Sequence, residues 1–305
     1  MLSSKIGKYK FKTPILTASG TYGYGDEVKD LVNIDNLGGI ITKSVTLNPR
    51  EGNPPPRIVE TSSGMLNSIG LANLGVKEYI KQKIPNLNCL NTNVIINIAG
   101  SMIEDYLETL EMLESSSSNH IGYEINISCP NVKEGGMAFG VSPKVTEDLT
   151  KRMRNITDRL LIMKLSPNVT SISDIAMAAE FGGADAVSAI NTVVGMGIDI
   201  NSFRPKLYTT FGGLSGPAIK PIALANVHKI YKAIKIPIIG MGGISCADDV
   251  IEFILAGSDL VQIGTLNYKN PNLGIQILDD LKKFCLEKKI SNLSEIKGNV
   301  EYYNE

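Results

Sequence analysis

Apolar residues in this chain gather into short, largely uninterrupted runs, separated by longer segments with helical spacing. The runs read as strands at 15–18, 39–44, 94–99, 123–128, 160–165, 186–190, 236–240 and 260–264. Most lack the alternation of a half-exposed strand, which is the pattern of parallel strands covered on both faces. The segments between them carry helix signals. Ser101 with Glu104 has capping-box spacing ahead of Ile103, Leu107 and Leu110, which share a face. Ser142-Pro143 offers an N-cap and a pre-set first turn. Ser171 with Asp174 repeats the box, Ile172, Ile175, Ala176 and Ala179 line one face, and Gly182-Gly183 ends the helix. Eight strands alternating with helices predict an α/β fold, a (β/α)8 TIM barrel. Residues 5–12 read as a small N-terminal hairpin that caps the barrel bottom, turning at Gly7. The proline-rich 48–56 and the stretch 193–216 are too long for simple connections and are expected as extended active-site loops. No linker, low-complexity tract or charge block divides the chain, so 1–305 is expected to be one domain.

Composition narrows the classes without changing this picture. Of 305 residues 43% are hydrophobic, enough for a sizeable core, and the net charge of −1 gives no general attraction to nucleic acid or acidic membranes. No apolar run approaches the roughly 20 residues that span a bilayer. Ser3, Ser4, Lys5, Lys8 and Lys10 interrupt any signal-peptide pattern. Cys89, Cys129, Cys246 and Cys285 are scattered, as in a reducing cytoplasm, and two histidines argue against a histidine-based metal site. A cytoplasmic location is expected, with no membrane and no metal.

Polar residues end five of the predicted strands: Lys43-Ser44, Asn97, Asn126 through Cys129, Lys164 and Asn191-Thr192. A barrel gathers such ends at one face, where enzymes of this architecture keep their sites. Lys43 and Lys164 follow apolar runs with no acidic residue nearby in sequence, which suggests a bound anion or electron-rich ligand. Glycines at Gly240, Gly242, Gly243 and Gly264 follow the seventh and eighth strands, the usual phosphate corner of such a barrel. The turn Gly212-Gly213-Leu214-Ser215-Gly216-Pro217 is a third candidate contact. Cys129 lies past a strand end, next to Ser128 and Pro130 and ahead of Gly135-Gly136. A thiol of ordinary pKa, about 8.5, can take a proton in mildly alkaline solution. The other three cysteines are assigned structural roles.

These segments together resemble the dihydroorotate dehydrogenases over nearly the whole chain. The resemblance is carried by Asn126-Ile127-Ser128-Cys129-Pro130-Asn131-Val132-Lys133, by Gly135-Gly136-Met137-Ala138-Phe139-Gly140, and by Asn67-Ser68-Ile69-Gly70-Leu71-Ala72-Asn73. Asn191-Thr192-Val193-Val194-Gly195-Met196 and Gly212 through Pro221 add to it. Cysteine rather than serine at the base position resembles class 1, and the Gly-Gly-Met-Ala-Phe-Gly segment resembles subtype 1B. Cys246 and Ser258 depart from the family's usual residues, away from the implied flavin contacts.

The resemblance implies FMN bound by Ser19, Lys43, Ser44, Asn97, Asn126, Lys164, Ile190, Gly216, Gly242, Gly243, Gly264 and Thr265. It implies dihydroorotate bound by Lys43, Asn67, Ser68, Ile69, Gly70, Leu71, Asn126, Asn191 and Thr192. Cys129 would be the catalytic base taking the C5 proton while a hydride passes from C6 to flavin N5, giving orotate in pyrimidine biosynthesis. Residues 132–139 would form a lid. Lys164 would stabilise negative charge on the reduced ring. The implied assembly is a homodimer, joined into a heterotetramer by a partner subunit carrying FAD and a 2Fe-2S cluster that delivers electrons to NAD+. Alternatives are a class 1A-like enzyme using fumarate, or a Schiff-base aldolase or phosphosugar isomerase using Lys43 or Lys164.

Overall fold

A computed structural model describes residues 1–128 and 139–303. Eight parallel strands form a closed barrel in chain order: β1 Ile15–Thr17, β2 Gly39–Ile41, β3 Asn93–Ile98, β4 Gly122–Asn126, β5 Leu160–Leu165, β6 Ala186–Ala189, β7 Ile238–Met241 and β8 Leu260–Ile263. Closure comes from β8 pairing with β1, Val261 opposite Ile15 and Ile263 opposite Thr17. All eight expected strands are present. Several end earlier than the apolar runs, because the polar residues that follow leave the ladder for other partners. Lys43 is such a residue: its backbone N–H donates to the Gly23 carbonyl at 2.8 Å.

Helices pack around the strands as the spacing predicts. In helix Ile172–Phe181 the Ser171 hydroxyl accepts from the Asp174 N–H at 3.3 Å, and Ile172, Ile175, Ala176 and Ala179 are buried. Gly183, at φ +93°, turns the chain out of it. Ser142 is the N-cap of helix Pro143–Arg154, although its side chain makes no capping bond. The first capping box is shifted by one residue. Asp105, not Glu104, accepts the N–H groups of Ser101 and Met102, at 2.7 and 3.0 Å, and helix Ile103–Glu114 begins after Met102. The Ser101 hydroxyl instead accepts from Arg50, at 2.8 Å.

The barrel interior is layered. At its foot the antiparallel hairpin Ser4–Ile6 and Tyr9–Phe11 turns through Gly7, at φ +54°. It inserts Ile6 and Phe11, both fully buried, against Leu16, Ile41, Ile95, Leu160, Ile162 and Ile239. Each plug residue contributes roughly 1.5–3 kcal/mol of apolar burial. Higher up, Glu124 of β4 meets residues from β3, β5, β6 and β8, described below.

The segment 193–216, expected as a loop, is partly ordered into a second sheet with residues 58–67, while the proline-rich 48–56 just before them forms no strand of that sheet. Strands Ile58–Thr61, Gly64–Asn67, Phe211–Ser215 and Val193–Met196 pair antiparallel in that spatial order. A short pair, Ile198–Asp199 with Arg204–Pro205, extends from it.

His120, just before β4, is 2% exposed. Its Nδ1 lies 2.8 Å from the Ser118 hydroxyl and its ring is edge-on to Tyr123. Burial, reinforced by the positive charge of Arg159, pushes the imidazole down from 6.5 to about 3. The folded ring therefore stays neutral, whereas the unfolded chain takes up a proton as pH falls below 6.5, so stability from this group is lost between 6.5 and about 3. Going from pH 7.5 to 5 is expected to cost about 2 kcal/mol through His120. Urea titrations of wild type and His120→Gln at both pH values measure it; equal losses in the two proteins would refute the assignment.

Candidate active site

A cavity of about 360 Å³ opens at the C-terminal ends of the strands. Its floor and walls come from residues at or just after the C-terminal ends of β1, β2, β4, β5, β6, β7 and β8, and its cover from the second sheet. Ser19, Lys43, Ser44, Asn67, Ile69, Leu71, Asn126, Lys164, Ile190, Asn191, Thr192, Gly216, Gly242, Gly243, Gly264 and Thr265 all line it. The structure thus brings together most of the residues singled out from the sequence. Asn97, Ser68 and Gly70 lie elsewhere. Asn97 is fully buried behind the cavity, bonded to Ser44 and Glu124. The Ser68 N–H donates to the Arg57 carbonyl at 2.8 Å, and Gly70, at φ +75°, packs on Asn53. Cys129 and the expected lid fall outside the described residues.

One end of the cavity is built from glycine turns. Gly216, Gly242 and Gly243 have φ of +96°, +129° and +79°. A side chain at Gly243 would lie 2.9 Å from the Gly216 carbonyl oxygen and 2.8 Å from Cβ of Lys220. Glycine is required there on both counts. These turns sit at the start of helix Lys220–Ala233, the positive end of its dipole. On the other side of the corner the Thr265 hydroxyl donates to that of Ser215 at 2.8 Å. The adjacent Lys220 is committed to Asp249 and Glu252, at 2.6 and 2.7 Å, which raises its pKa above the ordinary lysine value.

The opposite wall is an array of amides. The Asn191 side-chain N–H2 donates to Oδ1 of Asn126 at 3.3 Å, and that same oxygen accepts the Ser128 N–H at 3.3 Å. Oδ1 of Asn191 accepts the Thr192 N–H at 2.8 Å, and Nδ2 of Asn67 reaches the Gly213 carbonyl at 3.4 Å. Partial burial draws the Lys43 ammonium below the usual lysine range; Glu27 opposes that shift and Arg57 adds to it.

Beneath the cavity lies a buried polar layer that sequence reasoning missed. Glu124, fully buried, accepts on Oε1 from Asn97 Nδ2 at 2.7 Å and pairs there with Lys164 Nζ at 3.2 Å. On Oε2 it accepts from the Ser188 hydroxyl at 3.0 Å and Gln262 Nε2 at 2.6 Å. Four donors on one carboxylate offset the cost of burying its charge. Lys164, with no acidic residue nearby in sequence, thus has one in space. Glu124 is 40 positions away in sequence, but the register sets Asn126 opposite Lys164 and so brings Glu124 within reach. The available signal was an acid inside an apolar strand, since a buried charge needs a partner.

Comparison with known proteins reads the same chain as a whole. The sequence model of the dihydroorotate dehydrogenase family matches residues 1–285. This chain belongs to the dihydroorotate dehydrogenase family. It is 49% identical over 300 residues to the dihydroorotate dehydrogenase B (NAD(+)), catalytic subunit, of Bacteroides thetaiotaomicron, covering 98% of this chain and 99% of that protein. The same-named proteins of Thermoanaerobacter pseudethanolicus and Desulforamulus reducens are 46% and 49% identical over 300 and 297 residues, with at least 97% of each chain covered. As a dihydroorotate dehydrogenase the chain is an oxidoreductase of a flavin-dependent family. Among the described residues no helix is long and apolar enough to cross a membrane.

Proposed function

We propose that this chain is the catalytic subunit of an enzyme that oxidises (S)-dihydroorotate to orotate in pyrimidine biosynthesis, with FMN as its cofactor and NAD+ as final acceptor. The observation that carries this reading is one cavity lined by a glycine-built corner, by Asn67, Asn126 and Asn191, and by Lys43 and Lys164. The residues fit FMN. Gly216, Gly242, Gly243 and Gly264 would cradle its phosphate, leaving room for backbone to approach where a Cβ at Gly242 would press within 2.8 Å of Ala223. Lys164, held by Glu124, would place a cation against the ring. FMN, when bound, supplies the hydride acceptor.

The chain's own residues do the rest. Asn67, Asn126 and Asn191 both donate and accept, as a ring carrying amide groups requires. Lys43 offers positive charge to the substrate carboxylate. Thr192 is set by Asn191, whose side chain takes its N–H. Cys129 removes the C5 proton. The cover sheet keeps water from the reacting face. A Schiff-base reading of Lys164 finds less support, because that amine is already ion-paired with a buried carboxylate.

Purified protein is expected to be yellow, with flavin absorbance near 450 nm that bleaches when dihydroorotate is added without oxygen. Colourless protein that binds no FMN, or a spectrum indifferent to dihydroorotate, would overturn the proposal. NAD+-dependent turnover only when an Fe-S and FAD subunit is supplied supports the NAD+ route; fumarate-dependent turnover without it supports a 1A-like enzyme.

A homodimer is part of the same reading. Between residues 194 and 211, in the outer strands and the turns joining them, Val194, Ile198, Ile200, Phe203, Tyr208 and Phe211 expose apolar side chains, Phe203 at 88% and Ile200 at 78%. A patch of this kind marks a protein contact, and a second copy of this chain is the proposed occupant. Ile200→Asp with Phe203→Asp is expected to shift the protein from dimer to monomer in sedimentation. A monomeric wild type would refute this.

A further inference from the structure

The polar layer leaves one atom unexplained. Gln262 is 1% exposed and lines the cavity. Its Nε2 is committed to Glu124 at 2.6 Å. The orientation of the amide is fixed by chemistry, since a carboxylate that accepts from Asn97, Lys164 and Ser188 can take only a donor from Gln262. Its carbonyl oxygen, Oε1, therefore points away from Glu124, and it is a buried acceptor with no hydrogen-bond partner among the described residues. Such an atom is costly to bury unless something donates to it. Lys164 rests on the other oxygen of the same carboxylate. One side chain of β4 thus presents, side by side at the cavity floor, a cationic donor and a neutral acceptor.

An acceptor next to a donor recognises a ligand edge on which an N–H adjoins a carbonyl. We infer that Gln262 recognises the cofactor, its Oε1 accepting the imide N3–H of the flavin while Lys164 faces the neighbouring C2 carbonyl, with Glu124 as the positioning residue that aims both. This rests on the FMN reading above and extends it to a residue outside the anion corner. A ligand whose imide nitrogen is methylated cannot donate and should be discriminated against.

The test compares binding of FMN and N3-methyl-FMN to flavin-stripped protein by fluorescence quenching. Wild type is expected to bind FMN at least about tenfold more tightly than the methyl analogue. Gln262→Met, of similar volume but with no amide, is expected to bind FMN about tenfold more weakly and to lose the discrimination. The wild-type comparison stands even if that variant does not fold. A second readout is the 15N-labelled N3–H of bound FMN, expected to be protected from exchange in wild type. Equal affinity for the two ligands in wild type, or undiminished discrimination in Gln262→Met, overturns the role of Gln262 while leaving the FMN reading intact. Failure of wild type to bind FMN at all overturns both.

Discussion

Cys129→Ala is expected to slow anaerobic reduction of the bound flavin by dihydroorotate at least about 100-fold. General-base catalysis is typically worth about 10²–10⁴-fold, and alanine offers nothing to take the C5 proton. Binding should survive, because the anion corner and the asparagine wall belong to other segments of the chain. FMN content and orotate affinity are therefore expected to stay close to wild type. In the wild type the rate should climb with pH, since only the thiolate takes the proton; in the variant that dependence should vanish. Stopped-flow absorbance at 450 nm over a range of pH reads both quantities. A variant that is reduced as fast as wild type removes Cys129 from the mechanism.

The second large effect is on stability. Glu124→Ala strips four donors, Asn97, Lys164, Ser188 and Gln262, of their shared acceptor in the dry centre of the barrel. Removing one member of a buried pair typically costs about 3–5 kcal/mol, because the remaining charge stays buried and uncompensated. Against a total of about 5–15 kcal/mol for a folded domain, that is a large fraction. Glu124→Gln should cost less. The Ser188 hydroxyl can reverse to accept, and the Gln262 amide can turn over, whereas Lys164 can only donate. Urea midpoints at constant m-value give the comparison. An alanine variant within about 1 kcal/mol of wild type would show that the layer is a passive filling.

Much of this architecture could be read from the chain. Parallel strands buried on both faces leave runs such as those ending at Leu165 and Ile263, and the glycines after β7 and β8, which tight turns alone could also explain, gain weight from their place in the barrel. The cover sheet was not legible. Its strands include Ile58, Val194 and Phe211, which are more than half exposed, and glycines at 195, 212 and 213, so hydrophobic patterning does not distinguish them from loop. What holds them is pairing across long separations, Gly213 with Asn67 for example, and a local pattern carries no trace of that. The same holds for the floor of the site. Lys164 and Gln262 were visible as polar residues in apolar strands, but their common partner is set by register around the barrel.

That β8 closes on β1 has a consequence for how the enzyme is made. Ser19 follows the first strand, while Gly264 and Thr265 follow the last, and all three line one cavity. On the ribosome the early strands can pair as they emerge, yet the pocket has no complete wall until residue 265 has cleared the exit tunnel. On the proposed flavin reading, cofactor loading is expected only after the eighth strand has emerged, and a nascent chain stalled short of that strand is expected to retain no flavin.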